Sequence, residues 1–268
     1  MSDTSRHDTW RAGDSYDLYM GRWSRRIAPR FLAWLDPAEQ LNWLELGCGT
    51  GALSVAILGQ CRPKSILAID PSESFLRQAR ANVADERVRF LSGDAQQLPL
   101  SGDSIDVVVS ALVLNFLPDR ESALKEMNRV ARPGARLAFY VWDYPDGGVE
   151  FMSVFWRAAV SLDPGAEELS EDKRFIFCRP EPLTAMVEAA GFSSISCEKI
   201  EAISVFEDFE DCWRPFTLGA GPAPGYCMSL EPRARERLRA RLSKSLPRDE
   251  QGAISLGLGA WAVKATAS

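Results

Sequence analysis

The chain has 268 residues, of which 46% are hydrophobic and 25% charged. That length suits one large α/β domain or a domain with an insertion, and the composition excludes collagen, a disulfide miniprotein and a disordered chain. The net charge of -6 argues against sequence-blind binding to nucleic-acid backbones, which Lys and Arg drive.

Residues 1–14 read as a loose arm. Met1 to Asp17 is polar and lacks the apolar stretch of a secretory signal. From Tyr16 to Leu35 the apolar residues Met20, Trp23, Ile27, Phe31 and Leu35 recur at helical spacing, up to the turn signal Asp36-Pro37. Asn42 to Leu46 reads as a short buried strand that runs into Gly47-Cys-Gly-Thr-Gly51, and Ala52 to Leu58 as a helix. Ser65 to Ile69 is a second strand ending at Asp70. Ser72 caps a helix to Val83. Val88 to Leu91 and the apolar run Ile105 to Ser110 are strands, the latter suited to burial on both faces. Glu121 to Ala131 is a helix stopped by Pro133-Gly134, and Ala135 to Val141 is a fifth strand. This alternation predicts βαβ units in a parallel sheet with helices on both faces.

The alternation breaks after Trp142. Residues 143–180, rich in Phe and Trp, read as a helical insertion. Pro182 to Ala190 reads as a helix, Ile195 to Val205 as a strand, and Ala260 to Val263 as the final strand. Glu231 to Leu246 is a helix whose arginines stand at every second position; residues two apart do not share one helix face, so the helix reads as solvated. The division expected is an arm and lid helix over 1–35, a cofactor-binding core over 36–142, the insertion over 143–180 and a completion of the sheet over 181–268.

Cys48, Cys61, Cys178, Cys197, Cys212 and Cys227 form no CxxC pair, which suits reduced thiols in a cytoplasm. The one histidine is His7, so His triads and His-ligated zinc are excluded and no metal site is expected. No apolar run approaches the roughly 20 residues of a membrane helix.

Chemistry concentrates at three strand ends. Glycines between a strand and a helix let the backbone turn tightly and bring the helix-start amides to a ligand. Gly47-x-Gly49-x-x-Ala52 fits a dinucleotide fingerprint. Asp70 follows Gly51 by 19 positions, where a carboxylate can accept bonds from two ribose hydroxyls. Gly93-Asp94-Ala95 follows the third strand, where Asp94 and the next amide can read an adenine edge. The alternative for Asp94 is a plain turn residue.

Taken in order, LELGCGTG, AIDPS, GDAQQLPL, IDVVVSALVLNFLPD and RPGA resemble the motifs of class I S-adenosylmethionine-dependent methyltransferases. The type-11 group, which includes the ubiquinone/menaquinone-biosynthesis methyltransferases, is the nearest in pattern. The resemblance runs from Tyr16 to Trp142 and resumes weakly near Pro182 to Phe192 and at the last strand. It implies a doubly wound Rossmann-like, mostly parallel seven-stranded sheet with an antiparallel last strand. It also implies S-adenosylmethionine as cofactor and a methyl acceptor among small molecules.

Residue roles follow from that resemblance. Gly47, Cys48 and Gly49 would pack on the methionine part and Glu45 would orient the loop. Asp70 would bind both ribose hydroxyls, and Pro71 would cover the adenine. Asp94 and the Ala95 amide would bind adenine polar atoms. Ser110, Ala111 and Leu112 would offer backbone groups near the cofactor's amino group. Tyr19, Arg22 and Arg26 resemble the N-terminal segment of the glycine N-methyltransferase type, in which a Tyr and an Arg hold the methionyl carboxylate. Helical spacing lets one face carry all three.

Methyl transfer from a sulfonium is an in-line displacement, so the protein chiefly supplies approach geometry and a dry site. Weak candidates for a base are Asp143, Tyr144 and Glu150, just after the fifth strand; Tyr226 and Asp211 are weaker. Three other readings stay open on the sequence. One is an NAD-dependent oxidoreductase on the same loop. Another is a metalloid methyltransferase using Cys178, Cys212 or Cys227. The last is a cofactor-binding protein without turnover. The acceptor atom and the oligomeric state are not written in the sequence.

Overall fold

The computed structural model describes residues 20–219 and 221–268, with the side chain of Arg22 left out. Tyr19, His7 and the expected arm lie outside the described residues. The chain divides into two compact units. One holds Ser24–Trp142, Phe177–Ile200 and Ala260–Ser268; the other holds residues 20–23, Asp143–Ile176 and Glu201–Gly259.

In chain order the first unit begins with α1 (Arg22–Leu35), β1 (Asn42–Leu46), α2 (Ala52–Gln60), β2 (Ser65–Asp70) and α3 (Glu73–Asn82). It continues with β3 (Val88–Ser92), β4 (Ile105–Ala111), α4 (Arg120–Val130), β5 (Ala131–Trp142) and α7 (Pro180–Ala189). The second unit contains α5 (Glu150–Val160), α6 (Glu171–Arg174), α8 (Phe209–Trp213), α9 (Pro222–Ser229) and α10 (Pro232–Ser245). The long strands β6 (Phe192–Phe206) and β7 (Ile254–Ala267) carry residues of both groups, and so does α1, whose Arg22 and Trp23 belong to the second.

Among the described residues the strands form one sheet in the order β3-β2-β1-β4-β5-β7-β6. The pairs β1–β2, β1–β4, β2–β3 and β4–β5 are parallel, as the alternating pattern predicts. β7 runs antiparallel to β5, with Phe139 opposite Val263. The central strand β4 buries Val107, Val108 and Val109 completely, as required where helices cover both faces.

Local chemistry sets the boundaries. Ser72 accepts from the Phe75 amide at 3.4 Å and caps α3. Asp119 accepts from the Ser122 amide at 3.0 Å and caps α4. One boundary differs from the sequence reading: α4 ends at Val130, and Ala131 already pairs with Ile105 as the start of β5. Pro133-Gly134 therefore sits within the strand, where the register shifts between Ile105 and Val107. A bulge accommodates the missing amide of proline and the positive φ of Gly134.

Helix α1 buries Ile27, Phe31 and Leu35 and exposes Arg25, Arg26 and Arg30. Phe31 packs against Tyr140 of β5 at 4.9 Å between ring centroids. Lys264 Nζ of β7 donates to the Trp34 carbonyl at 2.9 Å. In the second unit, Trp23 packs on Phe206 at 4.8 Å and on Phe151 at 5.7 Å. Phe155 stacks on Phe216 at 4.3 Å. Much of the aromatic content after Trp142 is thus the private core of this unit. On α10, Leu238 and Leu242 are buried while Arg233, Arg237 and Arg241 are exposed. Arg239 pairs with Glu210 and Glu236, as befits a solvated face.

Candidate active site

The turn between β1 and α2 has three glycines in the left-handed region: Gly47 at φ 68°, Gly49 at φ 53° and Gly51 at φ 89°. The first is doubly constrained, since a Cβ on Gly47 would lie 2.2 Å from Val113 Cγ2. The Gly47 and Cys48 amides donate to the Ile69 carbonyl at 2.7 and 3.1 Å. Asp70, one residue further, fastens the same turn: its Oδ2 accepts from the Gly49 amide at 2.9 Å and its Oδ1 from the Ser72 amide at 2.8 Å. Burial raises the pKa of Asp70, and the two amide bonds oppose that shift.

A carboxylate has about four acceptor positions. Each oxygen of Asp70 therefore keeps acceptance for one further donor, as a vicinal diol requires. Around Gly49 no heavy atom outside its chain neighbours comes within 4 Å of where a Cβ would stand, so a ligand can approach the backbone there.

Beneath the turn, the Ser54 hydroxyl donates to the buried Glu45 carboxyl. Burial pushes Glu45 up to about 8, with the Ser54 bond opposing and the nearby Asp70 adding to the rise. Cys48 is buried too, and burial holds its thiol far above the usual range. Ser110 donates through Oγ to the Leu46 carbonyl at 3.0 Å and ties the end of β4 to the end of β1. Leu112 follows at φ 61°, with its amide bonded to the Tyr140 carbonyl at 2.9 Å. Asp94 and Pro71 are exposed. Asp94 Oδ1 accepts from the Gln96 amide at 2.9 Å, so it forms the local turn that its place beside glycine predicts.

Two side chains stand out that the motifs did not single out for a role. Asn115 is buried just past β4, and neither polar atom of its amide has a hydrogen-bond partner. It lies in the quoted NFLPD stretch, yet only burial distinguishes it. Glu171 is buried in the second unit, and no motif marks it.

The candidates after β5 take different places. Asp143 is fully buried, its amide bonded to the Gly259 carbonyl at 3.0 Å and its carbonyl to the Gly148 amide at 2.8 Å. Glu150 Oε2 accepts from the Gly257 amide at 2.7 Å. Tyr144 lines a cavity of about 530 Å³ within the second unit, together with Trp156 and Arg157. Tyr226 donates to Asp163 Oδ2 at 3.2 Å, and Asp211 accepts from the Glu207 amide at 3.2 Å. Arg26 is exposed on α1. Cys178, Cys212 and Cys227 are buried, and burial pushes Cys227 up to about 11. Among the described residues no group of three or more His, Cys, Asp or Glu could hold a metal ion.

A parallel sheet whose order turns at β1/β4, with a glycine loop and a carboxylate at the strand ends, defines a Rossmann-like cofactor-binding protein. Residues 44–139 match the family model described as "Methyltransferase domain". A malonyl-[acyl-carrier protein] O-methyltransferase of Geobacter sulfurreducens is 27% identical over 217 residues, covering 80% of this chain and 79% of the relative. The human thiol S-methyltransferase TMT1A is 30% identical over 192 residues, covering 70% of this chain and 74% of the relative. Among solved structures, phosphoethanolamine N-methyltransferase 2 of Haemonchus contortus, in complex with S-adenosyl-L-methionine, superposes with a TM-score of 0.58. That match is 15% identical and covers 96% of this chain and 56% of the other.

The chain belongs to the S-adenosylmethionine-dependent methyltransferases. S-adenosylmethionine is its cofactor, and the residues present fit that group: a carboxylate poised for a diol and a glycine backbone open to approach. The oxidoreductase, metalloid and non-catalytic readings are not favoured.

Proposed function

We propose that this methyltransferase acts on a small-molecule acceptor, with its cofactor held at the strand ends of β1, β2, β3 and β4. When bound, S-adenosylmethionine supplies an activated methyl group on a sulfonium. Asp70 would accept from both ribose hydroxyls, the 47–49 backbone would pack on the methionine part, and Pro71 would cover the adenine. Asp94 and the Ala95 amide would read the adenine edge, and Ser110 to Leu112 would face the amino group. Tyr19, Arg22 and Arg26 would close over the methionyl carboxylate.

One observation carries the reading: Asp70 is clamped by two amides from the loops on either side of it, Gly49 and Ser72, which fixes its carboxylate at the strand edge. The small-molecule class is supported by the cavity of about 530 Å³, within the range of small-ligand sites. Among the described residues no helix is long and apolar enough to cross a membrane. No disulfide joins any of the six cysteines, all of them among the described residues, which supports a reducing cytoplasm.

Calorimetry with S-adenosylmethionine and NAD tests the assignment. S-adenosylmethionine should bind, and Asp70→Ala should weaken it by at least about tenfold, since hydrogen bonds to a charged group are worth roughly 1.5–3 kcal/mol. Unchanged affinity would return Asp70 to a loop-fastening role alone.

A further inference from the structure

The second unit contains a cavity of its own. Its cavity of about 530 Å³ is lined by Tyr144, Ser153, Trp156, Arg157 and Asp172, among others. A recess of about 10 Å³ shares Tyr144, Ser153, Trp156 and Asp172 with that cavity and adds Glu171 to the wall. Such a recess is about the size of one water molecule, so one amino or hydroxyl group fills it.

Glu171 is only 2% exposed. One of its carboxyl oxygens accepts from the Trp156 indole N–H; the other, Oε1, is buried with no partner. A carboxylate oxygen left so costs free energy until a donor reaches it. Burial pushes the group up to about 7, with the Trp156 bond, its own backbone amide and the Arg174 charge opposing and Asp172 adding to the rise.

The charges nearby select the donor. Asp172 lines the cavity and, next to Glu171, the recess. Glu167 is neutralised by Lys173 at 3.0 Å, and Arg174 stands over the Phe175 ring at 5.1 Å. Arg157 is the cation on the cavity wall. Against Glu171 and Asp172 together, it leaves the lining net acidic once Glu171 is ionised. Tyr144 and Trp156 also line the recess beside these carboxyls, and aromatic rings suit a cation where it can reach a ring face.

We infer that this cavity binds a compact aromatic or apolar molecule bearing one protonated amine, whose N–H reaches Glu171 Oε1. This ligand site belongs to the second unit and stands independently of the methyl-transfer assignment. A flat body would lie in the larger cavity, and the ammonium would enter the recess between Trp156 and Asp172.

Three probes that share one ring and differ in one group test it: tryptamine, tryptophol and indole-3-acetate, titrated into the full chain. Tryptamine should bind at least about tenfold more tightly than indole-3-acetate, a difference of about 1.4 kcal/mol. Glu171→Gln keeps an acceptor for Trp156 but loses the charge, and should collapse that preference. Arg157→Gln should strengthen tryptamine and weaken indole-3-acetate, a gain that a misfolded variant cannot give. Indole-3-acetate binding as well as tryptamine, no saturable tryptamine binding, or a preference that survives Glu171→Gln overturns the amine site. S-adenosylmethionine is titrated into the same samples. If it binds and tryptamine does not, the amine site fails alone; if tryptamine binds and it does not, the methyl-transfer assignment fails alone.

Discussion

Glu45 shows how a side chain can hold a site without touching solvent. Its carboxyl is buried under the glycine turn, bonded to Ser54, and pushed from 4.5 up to about 8. The folded chain therefore keeps a proton that the unfolded chain releases between these values. By linkage, that contribution to stability is fully present below about pH 4.5 and is lost as pH rises through about 8. Gln carries no such proton and can still accept from Ser54. Glu45→Gln should match the parent near pH 5 and exceed it near pH 9 in chemical denaturation. A constant offset between the two would mean that Glu45 is ionised throughout. At this scale the sequence was only partly legible. Gly47, Gly49 and Asp70 could be read because their chemistry depends on spacing along one βαβ unit. Asn115 and Glu171 could not, because their significance is a missing partner in a packed interior. No spacing rule encodes that.

Among the elements, the β1–α2 turn depends on contact with the segment after β4. Gly47 combines a φ of 68° with a Val113 side chain 2.2 Å from where a Cβ would be. Gly47→Ala should lower the melting temperature by several degrees, since the left-handed backbone alone costs an L-residue about 1–2 kcal/mol and the clash adds to it. Gly47→Ala with Val113→Ala should recover the clash and leave the backbone cost, a coupling of the kind seen for residues in contact. Additive losses in thermal melts would show that Val113 moves aside freely. The strand ends were the least legible part of the chain. β7 was expected over Ala260 to Val263 but spans Ile254–Ala267. Its first half alternates buried Ile254, Leu256 and Leu258 with exposed Ser255 and Gly257, and the glycines hid a strand pattern behind turn-like composition. β5 was expected to start after Pro133-Gly134, but a bulge lets pairing begin at Ala131.

At the scale of the whole molecule, the reversal of strand order at β1/β4 sets the ends of the two strands that carry the glycine turn and Ser110–Leu112 side by side. The strand and helix alternation made that legible, because right-handed βαβ crossovers leave few ways to order the sheet. The N-terminal lid lies at the same scale. Residues 1–19 fall outside the described structure, while α1 is anchored by Trp23, Ile27 and Phe31, all fully buried. The lid is therefore best tested by removing residues 1–19 only, since a cut through Arg26 would also take Trp23 from its place against Phe206. If the proposed closure over the methionyl carboxylate holds, the truncated chain should bind S-adenosylmethionine more weakly, as a lid must open and close over its ligand. Arg26→Ala, at an exposed position, should weaken S-adenosylmethionine more than its decarboxylated analogue, as the lost contact is to the carboxylate. Equal losses for both ligands would assign Arg26 to helix packing. Full affinity in the truncated chain would leave the cofactor to the strand-end loops alone, with α1 serving as a wall of the sheet.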